Sequence, residues 1–119
     1  MITCTLGDKK YSVDFISGRA LREIGDARKM YELVTKNAQA AERGEPLDES
    51  VEYTEILDTM VRWFCVLFNN QFTPDEFYDN YPADKVMFDI AMALIAVNRA
   101  ATNVLSEFPT KADPAPRKK

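Results

Sequence analysis

The sequence predicts a mainly α fold: a small α+β architecture in which an N-terminal β-hairpin packs on a bundle of about four helices. Three observations carry this. Strict apolar/polar alternation occurs in the first sixteen residues, where Ile2, Cys4 and Leu6 alternate with Thr3 and Thr5, and Tyr11, Val13 and Phe15 with Ser12 and Asp14. After residue 17 the apolar residues recur at spacings of three and four, the period of a helix buried on one side. Pro46, Pro74, Pro82 and Pro109 then punctuate the chain where helices start or stop.

The hairpin is expected over residues 1–16, with Gly7-Asp8 in the turn. A lone hairpin is marginal in water, so its apolar face must pack on helices. Ser17 is a suitable cap for a first helix over about 18–40, where Ala20, Leu21, Ile24, Ala27, Tyr31, Val34 and Ala38 form the apolar row. Gly25 inside that row weakens the helix by about 1 kcal/mol relative to Ala, and close packing of the hairpin is one reason to keep it. Gly44 and Pro46 break the chain into an acidic connector at residues 41–50.

A second helix is expected over about 51–68, with Ile56, Leu57, Met60, Val61, Phe64, Leu67 and Phe68 on one face. Asn69 and Asn70 end it, since Asn tolerates the left-handed conformation. Thr73-Pro74-Asp75-Glu76 is a capping box with Pro at the first helical position, and Phe72 and Phe77 form a hydrophobic staple across it. This third helix runs about 74–79. The last helix, about 83–108, carries Met87, Ile90, Leu94, Val97, Ala101, Val104 and Phe108 as a heptad-like row, and Phe88, Met92 and Ile95 on another side. The first row suits a bundle core; one of the two rows is free to meet a partner or a second copy. Residues 1–108 read as a single globular domain. Residues 109–119, with three prolines and a basic end, read as a disordered tail.

The chain has 119 residues and a net charge of −4. Residues 44–84 carry ten acidic side chains and one basic, whereas both flanking stretches are net positive. An acidic middle argues against nucleic acid as the partner, because phosphate binding requires a basic surface. No stretch approaches the ~20 apolar residues of a membrane span. The first ten residues lack a basic start followed by an apolar run, so no signal peptide is expected. Cys4 and Cys65 form no ligand pattern and read as buried thiols of a reducing cytoplasm.

Chemistry-bearing patterns are sparse. The sequence has no histidine, and its four glycines are scattered rather than gathered in a phosphate loop. Glu49, Glu52 and Glu55 recur on neighbouring turns but read as solvated helix residues. No catalytic, cofactor or metal-ligating set is assigned, and an enzyme is not expected.

Two stretches resemble one family. Tyr11–Glu23, YSVDFISGRALRE, is similar to the strand-then-helix opening of the tail assembly chaperones of long, non-contractile-tailed bacteriophages and prophages of Gram-positive bacteria (the siphophage G-type). Val66–Lys85, VLFNNQFTPDEFYDNYPADK, resembles that family's most recognisable segment, an apolar helix ending in a Phe-Gly/Asn-Asn-Gln-Phe-Thr turn before Asp/Glu-Phe-Tyr-Asp. Asn80 stands where Gly is expected after the Tyr-Asp pair, and Asn also tolerates a helix-ending conformation.

The resemblance implies a non-catalytic protein of the bacterial host cytoplasm. It would bind the long tape measure protein, keep it soluble while tube subunits assemble, and be absent from the mature virion. It also implies, in many such phages, a frameshifted longer product that recruits tail tube protein, and self-association along the client. Adaptable apolar contact is what a helical client needs, and the candidate partner-binding residues are Trp63, Phe77, Tyr78, Tyr81, Phe88, Met92 and Ile95. The alternatives are a structural adaptor or connector retained in the particle, and an enzyme or regulator whose site shows no motif.

Overall fold

Aromatic side chains on either side of one helix end form the centre of the molecule. In the computed structural model, which describes residues 2–107 with side chains through Ala100, helix α3 spans Tyr53–Leu67 and buries Ile56, Met60, Val61, Trp63, Phe64, Cys65 and Leu67. Helix α4, Pro74–Asn80, folds back from it. Phe64, Phe68, Phe72 and Phe77 meet between them, with Phe64–Phe68 centroids at 5.1 Å and Phe64–Phe77 at 5.5 Å. Tilted and edge-on rings at such separations add to plain area burial.

The reversal between α3 and α4 follows from local chemistry. Asn69 and Asn70 have φ of 57° and 56°. The Asn70 N–H donates to Cys65 O at 2.8 Å and the Asn69 N–H to Val66 O at 2.9 Å, the paired closing bonds of a Schellman motif. At the start of α4, Thr73 Oγ1 accepts from the Glu76 N–H and Glu76 Oε1 accepts from the Thr73 N–H, completing the capping box. Phe72 and Phe77 are both buried and stack at 6.3 Å across this cap.

Strands β1, Ile2–Leu6, and β2, Lys9–Val13, pair antiparallel with Cys4 opposite Tyr11 and Leu6 opposite Lys9. Gly7 opens the two-residue turn at φ 61°, as a type II′ turn prefers. Its N–H donates to Asn80 O, tying the hairpin to the end of α4. Cys4, Leu6 and Val13 are buried while Thr3, Thr5, Lys10 and Ser12 are exposed, so one sheet face packs on the helices and the other meets solvent. The second strand is shorter than the alternation predicts. It ends at Val13, and Phe15 leaves the apolar face to lie 68% exposed.

The first helical stretch is also not continuous. Helix α1, Gly18–Arg22, is capped by Ser17 and stops at Glu23; helix α2 then runs Ile24–Glu42. The physical cause is tertiary. Trp63 Nε1 of α3 donates to Ala20 O at 2.9 Å, taking the carbonyl that a continuous helix would offer to the Ile24 N–H. Leu21, placed by spacing in the apolar row, is exposed. Gly25 serves no internal close approach: a Cβ there would meet nothing within 4 Å.

Gly44, at φ 68°, closes α2, with the Glu45 N–H donating to Ala40 O. The acidic connector that follows is pinned rather than loose. Asn37 Oδ1 accepts from the Asp48 N–H and Asn37 Nδ2 donates to Asp48 O, while Lys36 pairs with the Asp48 carboxylate at 3.6 Å. A hydrogen bond from Ser50 holds that carboxyl below its usual range.

A 3₁₀ turn at Ala83–Lys85 leads into the last helix, α5, Val86–Glu107. It packs against α1, α2 and α3. Val86, Ile90, Leu94 and Val97 are its buried row, and Met87 packs partly buried beside them. The rest of the predicted seam, Ala101, Val104 and Phe108, and the predicted tail at 109–119 lie outside the described side chains.

Candidate functional site

The seven candidate partner-binding residues separate into three groups. Trp63 and Phe77 are core residues, 3% and 0% exposed. Trp63 spends its one donor on Ala20, and Phe77 stacks on Tyr81 at 4.5 Å. Neither is presented on the surface, because each bridges two elements of its own chain.

Tyr78 and Tyr81 are half-buried, and their phenols point inward to carboxylates. The Tyr78 hydroxyl donates to Asp58 of α3, and the Tyr81 hydroxyl to Asp89 of α5. Burial, with the hydrogen bond to the accepting carboxylate as second cause, pushes both phenols well above the ordinary tyrosine range. They therefore stay protonated donors and act as internal ties between α4 and its neighbours.

Phe88, Met92 and Ile95 form the surface group. Positions 88, 92 and 95 succeed one another at four and three residues, so they stack on one face of α5. At about 100° per residue that face lies nearly opposite the row Val86, Ile90, Leu94 and Val97. Phe88 is 66% exposed, Met92 47%, and Ile95 is half-buried. Arg99 continues the same line one turn on and is exposed. The result is an outward apolar stripe about two turns long on a helix whose other side is anchored in the core.

Sequence reasoning missed other exposed apolar side chains: Phe15, Leu21, Leu47 and Tyr53. Phe15 and Leu21 were masked by periodicity that the structure interrupts. Leu47 lies within the acidic connector and Tyr53 opens α3 just beyond it, and Glu45, Glu49, Glu52 and Glu55 around them are exposed. A groove of about 730 Å³ lies between α2 and α3, floored by Ala27, Trp63 and Val66 and rimmed by Arg22, Asp26 and Arg62. Its rim charges are of mixed sign.

Among the described residues no group of three or more His, Cys, Asp or Glu side chains is placed to hold a metal ion. Cys4 and Cys65 are free, buried thiols, and burial pushes both from 9.0 up to about 11, which removes nucleophilic character at neutral pH. No helix among the described residues is long and apolar enough to cross a membrane.

No curated protein and no solved structure matches the chain. A family model described as "Phage tail chaperone protein" matches residues 1–111, almost the full length and all of the fold described above. The chain therefore belongs to the phage tail chaperone family.

Proposed function

We propose that this protein is a non-catalytic tail assembly chaperone that binds the phage tape measure protein, keeps it soluble in the host cytoplasm, and leaves before the virion is complete. The observation that carries the reading is the outward stripe of α5, Phe88, Met92 and Ile95, in a chain of this family. A long helical client has apolar faces that aggregate unless covered. A thioether and an aromatic ring on a rigid helix give adaptable contact without a shape-specific pocket. Acidic side chains elsewhere keep the covered client dispersed. In this reading Tyr78 and Tyr81 position α4 and α5, and tube protein is engaged indirectly, through a frameshifted longer product.

Two measurements test the proposal. Co-expression with the tape measure protein of the same phage is expected to move that protein into the soluble fraction. Mass spectrometry of purified virions is expected to find tube and tape measure protein but not this chain. Recovery of the chain in virions at stoichiometric amounts would instead identify a retained adaptor.

A further inference from the structure

The hairpin has two outer edges, and they are treated differently. A two-residue turn makes Leu6 and Lys9 a hydrogen-bonded pair, so Cys4–Tyr11 and Ile2–Val13 are bonded pairs as well. Thr3 and Thr5 of β1, and Lys10 and Ser12 of β2, then direct their backbone groups outward. On the β2 edge, Gln71 Nε2 donates to Ser12 O and Lys10 carries a charge. The β1 edge, Ile-Thr-Cys-Thr-Leu, has no charge and no proline, and among the described residues nothing bonds the outward groups of Thr3 and Thr5. Edge strands are ordinarily guarded by charges, prolines or cover.

Beside this unguarded edge lies a groove of about 460 Å³, bounded by Thr3, Cys4 and Thr5 on one side and Tyr81, Lys85 and Asp89 on the other. A neighbouring strand would run about 4.8 Å from β1, within this groove. Its floor is settled internally, since Asp89 accepts from Tyr81. Lys85, on the rim, has no ion pair among the described residues.

We propose that the groove between β1 and the start of α5 takes an extended segment of the client as a third strand, bonded to the outward backbone groups of Thr3 and Thr5. The inference rests on the client reading above, and adds a second mode of contact beside the α5 stripe, which begins at Phe88, next to Asp89 in the first turn of α5. The β1 strand of a second folded copy could lay only its threonine face on the groove floor, since Cys4 and Leu6 are buried beneath its own helices, and it brings no acidic group to Lys85. The segment is extended and proline-free at its paired positions, has small or apolar side chains toward Cys4 and Tyr81, and places an acidic group at Lys85.

Hydrogen exchange of the purified complex with the tape measure protein tests this, together with Thr5→Pro. That substitution removes one outward N–H at an exposed edge position that tolerates proline; Lys10→Pro on the other edge is the control. The expected result is slowed exchange at Thr3 and Thr5 in the complex, and binding weakened about fivefold or more by Thr5→Pro but not by Lys10→Pro. A complex that forms with these amides exchanging as in the free protein, and with Thr5→Pro binding as wild type, overturns the third strand and leaves the chaperone reading intact. Protection that grows with protein concentration in the absence of client assigns the edge to a second copy and overturns it too. Failure of any complex to form removes the chaperone reading, and the third strand with it.

Discussion

Trp63 shows how one hydrogen bond shapes two elements. Its indole N–H holds Ala20 O and thereby ends α1 at Glu23. Trp63→Phe removes the donor from a buried carbonyl and is expected to cost about 1–3 kcal/mol in denaturant unfolding. The two thiols give a pH dependence with a definite sign. Folded Cys4 and Cys65 hold their protons to about 11, whereas the ordinary thiol loses its proton near 9.0. Between those values the unfolded chain binds fewer protons than the folded one, so stability falls as pH rises from about 9 to about 11 and is insensitive to these groups below. Unfolding midpoints measured across that window check this, as does protection of both thiols from a disulfide reagent at pH 8 in the native protein. Met92, by contrast, is exposed. Met92→Glu is expected to shift stability by no more than about 0.5 kcal/mol while abolishing client binding; an unfolded variant would place Met92 in the core.

At the scale of elements, the helix ends obey local rules, and those were legible. Thr73→Ala is expected to lower stability by about 1 kcal/mol, read as a shift in the urea midpoint, because it opens the capping box. Asn69→Val places a β-branched side chain at φ 57° and is expected to cost about 1–2 kcal/mol, while Asn69→Gly is tolerated. Asn69-Asn70, Ser17 and Thr73-Pro74 announce themselves because a cap needs only neighbouring residues. The break at Glu23 did not, since its cause is a tryptophan forty residues away. Phe15 was misplaced for a related reason: alternation continues in the sequence beyond the point where the strand ends. In α5 both rows are apolar, and periodicity alone cannot say which one meets the core. Helices α1, α2 and α3 decide that by covering Val86, Ile90, Leu94 and Val97.

For the whole molecule, helices α1, α2 and α3 pack against one side of α5, while α4 packs on α3 and the hairpin on α4. On the proposed reading, that asymmetry joins sequence to function. An apolar face that would normally close on a neighbour is held open on a helix anchored by its other side, while the acidic connector keeps charge on the surface. The mainly α class and the N-terminal hairpin were readable from the change of period at residue 17, and the family from the Val66–Lys85 segment. Which of the seven candidate residues the fold leaves exposed was not legible in the sequence. Aromatic character alone selected Trp63 and Phe77, which serve packing, and Tyr78 and Tyr81, whose phenols tie α4 to Asp58 and Asp89.

The most direct measurement is a quantitative pull-down of co-expressed tape measure protein on wild-type chain and on the Phe88→Glu/Met92→Glu double variant, with both folds verified by circular dichroism. Wild type is expected to hold the tape measure protein in solution at many copies per client, and the folded double variant to recover none. Equal recovery by the two proteins would contradict the assignment of the α5 stripe, and an insoluble client with the wild-type chain would contradict the chaperone function itself.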